Sequence, residues 1–307
     1  MAHQPTAIDP VIALMGPTAS GKSQLAVELA QELNAEIISV DSALVYRGMD
    51  IGTAKPSLEE QQGVPHHLID IRDPKDPYSA ADFRSDAIAK VVEIQSRARQ
   101  VILVGGTMLY FKALKEGIAK MPPASQDIRY QITLEAQSSG WPSVHAELAR
   151  VDPVAAERIN PNDPQRLQRA LEVFRSSGKT LTEWQQQEME ICPFDLREIA
   201  IVPSDRALVH QRIEGRFKQM LEAGFEAEVA ALHKRGDLHA ALPSIKSVGY
   251  RQMWSYLEGE YDHDTMVFKA IVATRQLAKR QFTWLRGWQN LQILEQPSLS
   301  EALKILN

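Results

Sequence analysis

One stretch constrains this chain more than any other. Gly16-Pro17-Thr18-Ala19-Ser20-Gly21-Lys22-Ser23 fits the pattern G-x-x-x-x-G-K-[ST] without a mismatch. The apolar run Val11-Ile-Ala-Leu-Met15 precedes it, and Leu25, Ala26, Leu29, Ala30 and Leu33 follow at helical spacing. A short apolar run bounded by Gly and Pro suits a strand buried on both faces of a parallel sheet. Glycines let backbone N–H groups converge on phosphate oxygens, and the helix N-terminus adds partial positive charge. Lys22 supplies a full charge, and the Ser23 hydroxyl can reach a metal ion. The chain is therefore expected to fold as α/β and to hold a di- or triphosphate.

The same alternation continues. Ile37–Val40 reads as a second strand ending at Asp41. Ser79 with Asp82 reads as a capping box opening a helix to about Arg99, and Val101–Val104 as a strand stopped by Gly105-Gly106. Strands alternating with helices imply a parallel sheet covered on both faces. From Pro122-Pro123 the pattern changes to helical segments broken at Gly140-Trp141-Pro142, Asp152-Pro153 and Asn160 to Pro164. Glu198–Val202 then reads as another core strand, and long helices run to about Arg286. The expected architecture is a P-loop NTPase-like core, a parallel sheet flanked by helices, with a mostly helical insertion domain. Its segments are residues 1–119 (core, first part), 120–195 (insertion) and 196–307 (core, second part, mostly helical).

Composition excludes several alternatives. The 307 residues include one cysteine, Cys192, which rules out a disulfide scaffold or a Cys-rich zinc site and fits a reducing compartment. No apolar run reaches the roughly 18–20 residues of a membrane span, and Met1 to Pro10 lacks the charged and apolar regions of a secretory signal. The expected location is the cytoplasm. With 34 Lys and Arg against 39 Asp and Glu, the net charge is −5, so nucleic-acid binding would need a local basic face.

A P-loop alone says only that phosphates bind. A kinase usually adds an apolar strand ending in an Asp that holds Mg²⁺, but here Val101–Val104 ends in Gly105-Gly106-Thr107. The strand that does end in Asp closes at Asp41. Carboxyl ends of parallel strands are where open α/β sheets place ligands, so Asp41 and Thr107 should both face the loop. Asp41 also fits a backbone cap or an outer metal ligand, and Thr107 a turn residue. A small-molecule kinase and a non-catalytic RNA-binding protein with a nucleotide switch stay open on these grounds.

The ordered blocks GPTASGKS (16–23), DSALVYRGMDIGTAKP (41–56), PHHLID (65–70), GGTMLY (105–110), QRLQRALEV (165–173), KSVGYRQMW (246–254) and KRQFTWLRGW (279–288) resemble the tRNA dimethylallyltransferase family. The resemblance implies transfer of a dimethylallyl group from its diphosphate to N6 of the adenosine following the anticodon, with the P-loop holding the diphosphate rather than ATP. Mg²⁺, on Ser23, is the implied cofactor. The implied catalytic residues are Asp41, which accepts the N6 proton, Thr107, which bonds the flipped-out base, and Lys22. Arg216 matches a position near the pyrophosphate. No Asp-Asp pair of the kind other prenyl-transfer enzymes use occurs in the chain.

The resemblance also maps RNA contacts. They fall on Asp41, Ser42, Ala43 and Leu44; on Thr107 and Arg129; and on Gln165, Arg166, Leu167, Gln168 and Arg169. Further contacts fall on Lys246, Ser247, Val248, Gly249, Tyr250 and Arg251, and on Lys279, Arg280, Gln281, Phe282, Thr283, Trp284, Leu285 and Arg286. The residues themselves point the same way at one place. Residues 265–294 contain no Asp or Glu, and Arg275, Lys279 and Arg286 fall along one edge of an expected helix, beside the stripe Val267, Ile271, Thr274, Ala278, Phe282 and Leu285. That edge is either a phosphate-binding face or a solvated face with acids elsewhere. Trp284, Tyr250 and Trp254 are candidate stacking aromatics, although aromatics at helical spacing usually belong to the core. His66 and His67 lack a spaced third ligand and read as structural. The implied partners are tRNA, at its anticodon stem-loop, and dimethylallyl diphosphate. No membrane is expected, and the chain is expected to act as a monomer.

Overall fold

The computed structural model describes residues 10–187 and 190–306; residues 1–9, which bear on the expected absence of a signal, lie outside them. In chain order, β1 (Val11–Met15), α1 (Lys22–Glu32), β2 (Ala35–Val40), α2 (Leu58–Gln61), β3 (His66–His67), α3 (Ala80–Gln95), β4 (Gln100–Gly105) and α4 (Met108–Glu116) build the first part. Five helices follow: α5 (Gln126–Ser139), α6 (Trp141–Val151), α7 (Pro153–Arg158), α8 (Pro164–Ser177) and α9 (Leu181–Gln185). The chain ends with β5 (Leu196–Ile201), α10 (Arg206–Glu222), α11 (Phe225–His233), α12 (Tyr250–Leu257), α13 (His263–Arg286), β6 (Gln292–Leu294) and α14 (Leu299–Leu306).

The six strands form one all-parallel sheet in the order β3-β2-β4-β1-β5-β6. Alternation along each strand sends side chains to two cores. Ile12, Leu14, Ile37, Ile102, Ile199 and Ile201 pack with Leu25, Ala26 and Leu29 of α1 and with Ala302 and Leu306 of α14. Val11, Ala13, Met15, Ile38, Val40, Val101 and Leu103 face the other core, built from α3, α4 and α10 to α13. Both faces are covered, which is why the strands read as continuous apolar runs. Among the described residues no helix is long and apolar enough to cross a membrane.

The chain folds into two compact units. One comprises the described residues up to Lys115 and from Cys192 onward; the other is Glu116–Ile191. The helical unit is therefore offset by about four residues from the 120–195 expected; at its end, Cys192 and Phe194 already pack on the first unit's core. The helical unit has its own apolar centre, with Ile132, Val144, Leu148, Leu167, Leu171 and Val173 buried. Two edge strands, β3 and β6, were not expected. The helix opened by the Ser79–Asp82 capping box stops at Gln95 rather than near Arg99.

Candidate active site

The carboxyl ends of the central strands open into a cavity of about 560 Å³. Thr18, Lys22 and Ser23 line it from the P-loop, Asp41 from the end of β2, Thr107 from the turn after β4, and Arg216 from α10. The residues expected to meet from the sheet topology do meet here.

The P-loop turns with Ala19 and Gly21 at positive φ, 62° and 89°, and delivers the chain into α1 at Lys22. The first amides of that helix have no preceding carbonyl to bond, which leaves them for an anion. Two loop amides are already committed: Ser20 donates to the Pro17 carbonyl (3.3 Å) and Thr18 to Oε1 of Gln281 (2.9 Å). These two amides are therefore not free to meet a phosphate in this conformation. Lys22 Nζ donates to the Pro17 carbonyl at 3.2 Å. Burial pulls its pKa down to about 8; Asp41 opposes that shift and Arg216 adds to it. Burial likewise lowers the Arg216 guanidinium, against the attraction of Glu60 and Asp41. Two partly desolvated cations against one carboxylate leave the pocket short of negative charge, which a diphosphate would supply.

Asp41 is held rather than loose. Its Oδ1 accepts from the amides of Ala43 (2.8 Å) and Leu44 (3.3 Å), so the cap role that the sequence left open is real. Its Oδ2 makes no hydrogen bond among the described residues, and the residue lines the pocket. Thr107 is fixed by its amide to the Val40 carbonyl (3.2 Å), while its Oγ1 accepts from the Ser42 amide (3.1 Å). The turns after β2 and β4 are thereby tied to each other.

The loop from Asp41 to Pro56 is anchored from beneath by Glu228. This carboxylate accepts from the amides of Asp50 (2.8 Å), Ile51 (2.7 Å) and Gly52 (3.1 Å) and from the Tyr250 hydroxyl (2.5 Å). Gly52 cannot be anything larger: a Cβ there would lie 2.1 Å from the Phe225 ring and 2.6 Å from that of Tyr250. Tyr250 is fully buried, its hydroxyl pushed up by burial and by Glu228, so its expected RNA contact is corrected to a core role. Trp254 is buried too, donating to Glu258. Leu285 and Phe282 point into the core from α13, and Leu167 into that of the helical unit. Each lies on the apolar side of its helix, which the resemblance, mapping whole segments, does not resolve. Trp284 is 41% exposed, lines the pocket and has Lys112 above its ring. Lys246, Ser247, Val248, Gly249, Arg280 and Gln281 line the pocket as well.

The basic edge of α13 is only partly free. Arg275 is paired with Glu214 of α10 at 3.1 Å, a partner far away in sequence, so its place on the phosphate-binding edge is corrected. Lys279 and Arg280 are exposed and make no ion pair among the described residues. In the helical unit, Arg129 and Arg169 both grip the buried Glu172 at 2.8 Å, and Gln168 donates to Thr133 and to the Arg129 carbonyl. Arg166 is exposed beside Asp163. His67 bonds Glu36 (2.6 Å), and His66 donates from Nδ1 to the Val64 carbonyl (2.8 Å) while burial keeps its pKa low.

Sequence reasoning missed Ser39. It is 4% exposed, lines the pocket two residues before Asp41, and its Oγ has no hydrogen-bond partner among the described residues. A hydroxyl set between Ile38 and Val40, near the carboxyl end of the strand, was the available signal.

Comparison with known proteins adds a decisive fact. Residues 44–288 match the family model described as IPP transferase. The chain belongs to that family. Among solved structures, the tRNA isopentenylpyrophosphate transferase of Bacillus halodurans is 37% identical, with a TM-score of 0.70 over 97% of this chain and 93% of that one. The tRNA Δ(2)-isopentenylpyrophosphate transferase of Staphylococcus epidermidis is 35% identical, with a TM-score of 0.68 over 97% of each chain. A eukaryotic dimethylallyltransferase acting on tRNA is 27% identical, with a TM-score of 0.76 over 93% of this chain and 74% of that one. A member of the IPP transferase family is a prenyl-transferring enzyme, and a kinase or a non-catalytic RNA binder is correspondingly disfavoured.

Proposed function

We propose that this chain transfers a dimethylallyl group from dimethylallyl diphosphate to N6 of the adenosine following the anticodon in tRNA. It would do so as a monomer in the cytoplasm, with Asp41, Thr107 and Lys22 as its catalytic residues. The observation that carries this is one pocket holding a P-loop lysine, a second cation and a carboxylate with an uncommitted oxygen, from Lys22, Arg216 and Asp41.

The allylic C–O bond breaks as its electron pair moves onto the diphosphate, and a bond forms from N6 to the same carbon. Lys22, Arg216 and the first amides of α1 meet the growing negative charge of the leaving group. The exocyclic amine is a weak nucleophile because its lone pair is delocalised into the ring. Asp41 Oδ2 takes the proton that N6 gives up as the new bond forms, while Oδ1, held by Ala43 and Leu44, fixes the carboxylate's direction. The target base must leave the anticodon-loop stack to reach this depth, and Thr107 would hydrogen-bond it there.

Ser23 supplies an oxygen donor on the pocket wall, the type Mg²⁺ prefers. Among the described residues no cluster of three or more His, Cys, Asp or Glu could hold a metal alone, so diphosphate oxygens would complete its shell beside Ser23. When bound, Mg²⁺ supplies Lewis-acid neutralisation of the leaving group.

The test uses radiolabelled dimethylallyl diphosphate and unmodified tRNA. Label on tRNA is expected, and phosphate transfer from ATP without it overturns the proposal. Asp41→Asn should lower turnover roughly 10²–10⁴-fold, the usual weight of a general base, with tRNA affinity within a few-fold. Unchanged turnover removes Asp41 as the base.

A further inference from the structure

Gln281 lies in a segment that the resemblance assigns to RNA, yet its side chain points the other way. It is 7% exposed. Its Oε1 accepts from the Thr18 amide at 2.9 Å, and its Nε2 donates to the Gly106 carbonyl at 2.9 Å. One amide thus clips the P-loop to the turn that carries Thr107. The fit is close: a Cβ on Gly106 would come within 2.3 Å of Gln281 Nε2. On the same stretch of α13, Lys279, Arg280 and Trp284 are exposed, so the helix turns one face to solvent and this single polar group inward.

We propose that Gln281 is a positioning residue of the donor site and not an RNA contact. By taking up the Thr18 amide it fixes the mouth of the P-loop against the β4 turn. Donor diphosphate then meets an already shaped set of amides from the start of α1, with Lys22 beside them. The inference rests on the diphosphate reading of the P-loop and adds to it the residue that sets the loop's shape. A buried amide bonded at both ends specifies geometry, and its loss leaves two backbone groups unsatisfied.

The test compares wild type with Gln281→Met, which keeps length and loses both bonds, and Gln281→Glu, which keeps an acceptor for Thr18. Binding of inorganic diphosphate and of an unmodified anticodon stem-loop is measured separately, with steady-state KM for each substrate. Amide exchange at Thr18 and the melting temperature are followed alongside. For Gln281→Met, diphosphate affinity should fall roughly tenfold, about the weight of a lost buried hydrogen bond. Donor KM should rise likewise, Thr18 exchange should quicken, and stem-loop affinity should stay within twofold. Gln281→Glu should restore Thr18 protection, which a purely apolar packing role would not require. Weakened stem-loop binding with unchanged diphosphate binding overturns the inference and returns Gln281 to the RNA face. Unchanged values for both ligands also overturn it. If wild type itself binds no diphosphate, the donor-site reading fails, an outcome distinct from any difference among variants.

Discussion

The two compact units both carry cations expected on RNA, and they commit them differently. In the helical unit, Arg129 and Arg169 converge on Glu172, whose side chain is fully buried and also accepts from the Ser125 amide. Arg175 is similarly shared between Glu135 and Glu147. Among the described residues, Lys279 and Arg280 on α13 are exposed without an acid, and Arg286 bonds within its own helix, to the Phe282 carbonyl and the Thr283 hydroxyl. A cation in a sequence is therefore a clamp on a buried acid or open to solvent and anions, and partner geometry decides which. Lys22 is a third kind, neither solvated nor formally paired, and so lowered to about 8.

The largest effect should come from breaking the clamp. Glu172→Gln leaves Arg129 and Arg169 without their charge partner. Removing one member of a buried pair costs about 3–5 kcal/mol; the two arginines are partly exposed, which reduces this to roughly 2 kcal/mol. Hydrogen exchange in α8 should report that loss. Unchanged protection would move both arginines into the open class. Acid should act alike. Burial pushes the Glu172 carboxyl up, but hydrogen bonds from Arg129, Arg169 and the Ser125 amide overcome this and hold it below its usual range. Its contribution to stability is complete above the unfolded-state pKa and is lost as pH falls through the depressed folded value.

Next in size is the open pair. Lys279→Ala with Arg280→Ala should weaken stem-loop binding roughly tenfold at low salt. The log–log salt slope should flatten by about 1.5, because each phosphate left without its cation takes some 0.7–0.9 from it. An unaltered slope would make this edge a merely solvated face. Lys22 predicts an effect of about tenfold per pH unit. A diphosphate binds the protonated amine, so affinity should hold below about pH 8 and fall above it, until the raised pKa of the bound state is passed. Titration by calorimetry from pH 7 to 9.5 reads this directly, and Lys22→Met should abolish the slope.

These contrasts also explain what could be read from sequence. The P-loop, β1, β4 and the meeting of Asp41 with Thr107 were legible because glycine spacing and apolar runs are local signals and parallel strand ends converge. β3 and β6 were not, since two histidines and a three-residue edge segment bury too little to show periodicity. Arg275 with Glu214 and Arg129 with Glu172 are pairs across 61 and 43 positions, and no local pattern encodes such a partner. Ser39 and Gln281 share a subtler signal: each is a polar residue set among apolar ones, Ser39 within β2 and Gln281 between Ala278, Phe282 and Leu285. Mapping whole segments by resemblance hid this, because a helix segment has an inward face as well as an outward one.

The smallest expected effect is the sharpest control on the comparison. Arg275 stands beside Lys279 on the same edge of α13, and by sequence alone the two are equivalent. In the fold its Nη2 lies 3.1 Å from Glu214, which also accepts from Lys218 at 2.9 Å. A half-buried pair of this kind, still open to solvent screening, adds about 1 kcal/mol to stability, and a guanidinium already facing a carboxylate releases little salt when RNA arrives. Arg275→Ala should therefore shift stem-loop affinity less than twofold, leave the salt slope unchanged, and barely move the melting temperature. A slope that fell as far as in the Lys279–Arg280 double variant would mean that RNA pulls Arg275 away from Glu214. The division between clamped and open cations would then describe only the free protein.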